Sequence, residues 1–244
     1  MSLETTVDAL FGGALSIEQP TKGHRFGIDS VMLASFPVER TPEVIIDVGC
    51  GTAVMALIAA RRFNLAQIIG LEVQEVMAGL ARGNVERNNL TDRVKIIHQD
   101  VRQPLPESLG DLRAGLILMN PPYFPAHQGQ LSPQESRAAS RHEVFGALEE
   151  LLTGCRRLLA RQGVLRMIYP AESMVRAVLA ANKRGFKVHR LRPIHSFAHQ
   201  PARFVVLDLK LGGRRELIME PPTVIYDAVG VYNAEIEAML AHQA

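Results

Sequence analysis

The tetrapeptide Asn120-Pro121-Pro122-Tyr123 follows directly on the apolar run Leu116-Ile117-Leu118-Met119. Asn120 offers an amide carbonyl that accepts hydrogen bonds from an NH2 group, and Tyr123 offers a flat face on which a planar substrate can stack. Two consecutive prolines remove two backbone donors and fix φ, so the strand must stop there and the loop beyond it is stiff. A stiff loop at a strand end suits chemistry. The plainer alternative is a strand-ending turn with a half-buried tyrosine.

Other residues along the chain offer this loop partners. Asp47 ends the apolar run Val44-Ile45-Ile46, and Gly49-Cys50-Gly51-Thr52-Ala53 leads into a helical pattern over 54–62. Strand, glycine turn and helix let backbone N–H groups and a helix N-terminus approach a nucleotide ligand closely. A dinucleotide fingerprint needs a third small residue where Val54 stands, which weakens an NAD reading. Glu72 closes the next strand, 67–72, at the end where a carboxylate can hold ribose hydroxyls. Asp100 follows the strand 94–98, where it can accept from an adenine amino group or simply cap a loop. Asp29 or Ser30 can cap a short helix over 31–36, and Asp29 can equally form part of a ligand pocket.

The elements that must position these residues alternate. Strands at 44–48, 67–72, 94–98, 116–119 and 163–170 are separated by helical patterns, including 76–88, 142–161 and 171–184. Two closing strands, 186–192 and 204–211, lack a full helix between them. The pattern predicts an α/β fold with a doubly wound, mostly parallel sheet and an antiparallel edge. Residues 1–19 read as an irregular or hairpin lead-in of low stability. The tail reads as a short strand at 217–219, a hairpin around 227–230, and a helix capped by Asn233.

A chain of 244 residues with 47% hydrophobic content and no long apolar run reads as a soluble globular protein with room for a sizeable core. Its formal charge of +2 is uninformative by itself. Cys50 and Cys155 lack metal-type spacing, and Met1–Leu15 does not resemble a signal peptide, so a reducing cytoplasm is the expected compartment with no membrane partner. From Lys183 through Arg184, Lys187, Arg190, Arg192, Arg203, Lys210, Arg214 and Arg215, Asp208 is the only acid. Such a stretch suits a phosphate backbone, or a pair of solvated faces. His189, His195 and His199 have no cysteine or clustered carboxylate beside them, so no metal site is expected. The polar segment 124–140 reads as a substrate-gated flap with Arg137 and Arg141.

Taken together, Asp47-Val48-Gly49-Cys50-Gly51, Glu72, Asp100 and Asn120-Pro121-Pro122-Tyr123 resemble, in order and spacing, the class I S-adenosylmethionine-dependent amino-methyltransferases. That family often has a third glycine where Ala53 stands. Gly23-His24-Arg25-Phe26-Gly27-Ile28-Asp29-Ser30, Arg203-Phe204-Val205 and Glu220-Pro221-Pro222 are similar to its bacterial tRNA(Val) adenine-N6 branch, which modifies the adenosine 3′ of the anticodon. The resemblance implies a seven-stranded sheet and S-adenosylmethionine as cofactor, with S-adenosylhomocysteine as product. It also implies a tRNA partner, held through the Lys183–Arg215 stretch and the Arg137/Arg141 flap. The implied catalytic residues are Asn120, Pro121, Pro122 and Tyr123. The implied cofactor contacts are Arg25, Asp29, Asp47, Gly49, Gly51, Glu72, Val73, Asp100, Val101 and Asn120. Residues 41–215 would form the methyltransferase domain, with 1–40 as a lead-in packing on the cofactor site and 216–244 as a C-terminal extension. Protein glutamine N5 and rRNA guanine N2 methylation use the same loop chemistry and stand as alternatives, as does a non-catalytic RNA-binding module.

Overall fold

The computed structural model describes residues 4–22, 25–104, 106–121, 148–212 and 216–241. The chain opens with an antiparallel hairpin, β1 (Thr5–Leu10) and β2 (Leu15–Pro20). Leu15 and Ile17 are buried, and Asn84 and Asn88 accept from the backbone N–H groups of Glu18 and Ser16. This docking holds the lead-in.

The alternating unit follows as α1 (Ile28–Ser35), β3 (Val44–Val48), α2 (Val54–Arg62), β4 (Gln67–Glu72), α3 (Glu75–Arg87), β5 (Val94–His98) and β6 (Ala114–Met119). Next come α4 (148–158), β7 (Leu159–Pro170), α5 (Met174–Lys183), β8 (Phe186–His195) and β9 (Ala202–Leu211). The tail adds the short strands β10 (Ile218–Met219), β11 (Thr223–Val224), β12 (Tyr226–Ala228) and β13 (Val231–Tyr232), then α6 (Ala234–Ala241). Asn233 caps α6 through its Oδ1, which accepts from the Glu235 N–H at 2.9 Å.

The central sheet runs β10-β8-β9-β7-β6-β3-β4-β5, with β11 also pairing on β8. Neighbours from β7 to β5 are parallel, and β9 is antiparallel to both β7 and β8. The antiparallel strand thus lies one place in from the edge formed by β8, which the two-residue strands β10 and β11 extend in parallel. Side chains alternate between faces along each strand. Ile45, Leu116 and Leu118 pack with α1, α2 and α3, while Ile46, Ile117 and Met119 pack with α4 and α5.

Strand β7 begins at Leu159, earlier than the periodicity suggests, because Leu159 pairs with Ala114 before a register shift brings Val164 opposite Leu116. Helix α1 begins one residue after Gly27, and no side chain among the described residues caps it. Its other end is fixed. The Phe36 carbonyl accepts from Arg166 Nη1 at 2.8 Å and from Arg62 Nη1 at 3.2 Å, and the Pro37 carbonyl accepts from Arg166 Nη2 at 2.8 Å. Arg166 is itself held by Asp208, its cross-strand neighbour on β9. Among the described residues no helix is long and apolar enough to cross a membrane.

Candidate active site

The C-terminal ends of β3, β4, β5 and β6 bring Asp47, Glu72, the 99–101 turn and Asn120 to one edge of the sheet, where ligands bind in open α/β folds. The turn after β3 is built for close approach. Gly49 and Gly51 have φ of +69° and +55°, and no atom of the described residues lies within 4 Å of where a Cβ would stand on either. That open space is a cradle a bound molecule can enter. Ala53 takes a left-handed conformation too, with φ 67° and ψ 19°, while fully buried. The position that favours a third glycine therefore has a backbone reason, and here an alanine bears the strain, about 1–2 kcal/mol for an L-residue.

Asp47 is fully buried beneath this turn. Its Oδ2 accepts from the Ala56 N–H at 3.0 Å, and its Oδ1 is buried with no hydrogen-bond partner among the described residues. Burial pushes its carboxyl up to about 7, against the pull of the Ala56 N–H and with a smaller push from Glu72. Glu72 has oriented oxygens. Oε2 accepts from the Gly51 N–H and Oε1 from the Gln74 N–H, each at 2.9 Å. The first bond ties the carboxylate to the glycine turn and the second to the start of α3, and lone pairs remain on both oxygens, since a carboxylate accepts about four bonds.

Asn120 sits just beyond β6, half-buried. Its Nδ2 donates to Asp29 Oδ2 and to Ser30 Oγ, both at 3.0 Å. Asp29 thus meets Asn120 rather than capping α1. Asp100 is engaged by Arg102, whose backbone N–H and guanidinium reach it at 2.7–3.0 Å and hold its carboxyl below the usual range. Val73 is exposed beside Glu72, its carbonyl accepting from His98 Nε2 at 3.0 Å. Val101 is buried, and its carbonyl accepts from Arg157 at 2.9 Å. Arg25 is directed elsewhere: its guanidinium donates to Thr6 Oγ1, the Pro20 carbonyl and Asp8 Oδ2 on the hairpin. Pro121 is buried. Pro122, Tyr123, Arg137 and Arg141 lie outside the described residues.

Two contributors escape a reading of the sequence. Ser30 reads there only as a cap. Asn84, fully buried, donates to the carbonyls of Thr52 and Glu18 at 3.0 and 2.8 Å and so ties the glycine turn to the hairpin. The signal for Asn84 is a polar residue beside the Ala78, Ala81, Val85 stripe of α3.

The basic stretch does not form a uniform cationic surface. Glu149 takes Lys183 and Arg184, Glu39 takes Arg190 and Lys210, and Glu220 takes Arg190 and Arg192. Arg203 is different. It is exposed at the start of β9, on the same edge of the sheet as Asn120, lies over the Phe204 ring at 5.2 Å, and pairs with no acid among the described residues. Arg214 and Arg215 lie outside the described residues.

Comparison with known proteins shows the family and the fold. The Methyltransferase small domain family matches residues 26–190. A tRNA1(Val) (adenine(37)-N6)-methyltransferase of Porphyromonas gingivalis is 30% identical over 227 residues, covering 90% of this chain and 88% of the relative. A protein of the same description from Vibrio campbellii is 30% identical over 80% of this chain and 79% of its own length. Among solved structures, a predicted O-methyltransferase from Agrobacterium tumefaciens shares the fold with a TM-score of 0.66 at 20% identity, covering 88% of this chain and 96% of that one. TYW2 from P. horikoshii, in complex with MeSAdo, matches with a TM-score of 0.56 at 18% identity, over 85% of this chain and 71% of that one. The chain belongs to the methyltransferase small domain family, in the company of these tRNA adenine-N6 methyltransferases.

Proposed function

We propose that this protein transfers a methyl group from S-adenosylmethionine to the N6 amino group of adenine in tRNA, at the adenosine 3′ of the anticodon of a valine tRNA. The observation that carries the reading is the position of Asn120: it directly follows β6, the hydrogen-bonded neighbour of β3, and so stands at the same sheet edge as the Gly49–Ala53 turn in a chain whose relatives carry this activity by name.

The residues present fit the cofactor. The open space over Gly49 and Gly51 admits a ligand close to the backbone, Glu72 would hold the ribose hydroxyls, and Asp100 with Val101 would flank the adenine. The orphaned Asp47 Oδ1 is an acceptor awaiting a donor or positive charge. When bound, S-adenosylmethionine supplies an electrophilic methyl on sulfur that departs as a neutral thioether.

The chain's task is to make a poor nucleophile react. The N6 lone pair of adenine is delocalised into the ring, so the amine must pyramidalise before it can attack. Asn120 Oδ1 and the Pro121 carbonyl accept the two amino hydrogens and favour that geometry. As the N–C bond forms, positive charge develops on N6 against these two oxygens, and one proton then leaves to solvent. Tyr123 stacks on the base, contributing about 1–3 kcal/mol. Positioning and polarisation supply the rate, and no histidine base is needed. The target base must be unstacked or already in a loop to reach the edge of the sheet. Arg203 is the residue of the basic stretch best placed for a phosphate, and the 124–140 segment with Arg137 and Arg141 would close over the RNA. A tRNA substrate and two buried free thiols suit a reducing cytoplasm.

The test is incubation with labelled S-adenosylmethionine and separate tRNA, rRNA, DNA and release-factor pools, followed by nucleoside mass analysis. N6-methyladenosine in tRNA alone is the expected product, and label confined to another pool overturns the reading. Asn120→Ala should cut transfer about 100-fold or more while cofactor binding stays measurable.

A further inference from the structure

We propose that Asp29 and Ser30 are positioning residues that fix which end of the Asn120 amide faces the substrate, a role that rests on the reading above. The two ends of an asparagine amide are almost the same size, so packing does not choose between them; hydrogen-bond partners do. A carboxylate at neutral pH only accepts. Asp29 Oδ2 at 3.0 Å therefore demands the NH2 end of Asn120, and Ser30 Oγ, also at 3.0 Å, accepts from the same nitrogen. Reversing the amide would set two oxygens against each other at Asp29 and present NH2 to the substrate's own NH2, donor against donor.

Both partners are committed to this task by the fold. Neither caps α1, whose N-cap is Gly27. Ser30 is buried, so its hydroxyl has little water to compete. Beyond orientation, a charged acceptor on the amide nitrogen draws electron density toward the carbonyl oxygen and makes it a stronger acceptor for the target amine. The assignment also separates Asp29 from the cofactor: its loss should reach the rate through Asn120, not through cofactor affinity.

A reciprocal exchange tests this. Asp29→Asn should lower kcat about 10-fold, with the KM for tRNA and the calorimetric cofactor affinity each within about twofold of wild type. Asn120→Asp should lose more, because two carboxylates then face one another. The double variant Asp29→Asn/Asn120→Asp restores a donor opposite an acceptor, and should exceed Asn120→Asp alone by about 10-fold or more. Losses that simply add, an unchanged kcat in Asp29→Asn, or a parallel fall in cofactor affinity would each overturn the proposal. A readout independent of the substrate is the side-chain amide of Asn120 in 15N-asparagine-labelled protein without RNA. Its protons should be protected from exchange in wild type and lose that protection in Asp29→Ala; equal exchange in both refutes the lock. Wild-type protein that shows this protection but leaves tRNA unmethylated would count against the tRNA reading alone.

Discussion

Asp47 and Asp208 are both buried carboxylates of the central sheet, in opposite circumstances. Asp208 faces Arg166 across the β7–β9 pair, and both its oxygens accept from that guanidinium, at 2.7 and 2.9 Å. Asp47, at the end of β3, has one N–H and one orphaned oxygen. The first is complete within the chain and holds the fold. The second is incomplete among the described residues, and a buried carboxylate with an unmet oxygen is characteristic of functional sites rather than of packing.

Breaking the complete pair should have the largest effect. Asp208→Ala leaves the Arg166 charge buried without its counter-ion and should cost about 3–5 kcal/mol in urea unfolding, while Asp47→Asn at pH 8 should not destabilise the free protein. A small loss in Asp208→Ala would erase the distinction.

The next effect is in pH. The carboxyl of Asp47 is pushed from 3.8 up to about 7 in the folded chain, so the folded state holds this proton more tightly than the unfolded state. Its contribution is fully present below about pH 4 and is lost as pH rises through about 7, at most about 4 kcal/mol. Urea midpoints of the free protein should fall across that window, and Asp47→Asn should flatten the fall. Glu39 acts in the opposite sense and at lower pH. Its carboxyl is held far below the usual range, chiefly by Lys210, then His189 and Arg190, so its contribution is present above about pH 4.5 and is lost only in stronger acid.

Smaller still is Glu72→Ala, which should weaken cofactor binding about 10- to 100-fold by calorimetry, through loss of a charged acceptor and of its hold on the Gly51 N–H. An unchanged binding constant removes Glu72 from the ribose. Ala53→Gly should change stability by less than about 1 kcal/mol: relief of the left-handed strain is offset by a lost methyl contact and a more flexible unfolded chain. A loss above 2 kcal/mol would show the methyl to be doing more than filling space.

Much of the sheet and the glycine turn was legible because their signals are local. Val44–Asp47 announces a buried strand, and Gly49 and Gly51 announce a turn within a few residues of it. The Asn233 cap was legible for the same reason. The Asn120–Asp29 contact was not, since 91 residues separate the partners and each has a plausible local use, as turn and as cap. The Lys183–Arg215 stretch shows the complementary limit of a local reading. Its neutralising acids, Glu39, Glu149, Glu220 and Glu235, arrive from other parts of the chain, and five of its seven described basic residues pair with them.

Helix α1 is gripped at both ends: Arg62 and Arg166 hold carbonyls just past its last turn, and Asp29 and Ser30 reach Asn120 from its first. It therefore behaves as a gauge whose rotational phase matters as much as its length. At 3.6 residues per turn, one residue inserted mid-helix would swing Asp29 by about 100° relative to the anchored end and carry its carboxylate off the amide it meets. The count of residues between Asp29 and Phe36 is thus part of the site.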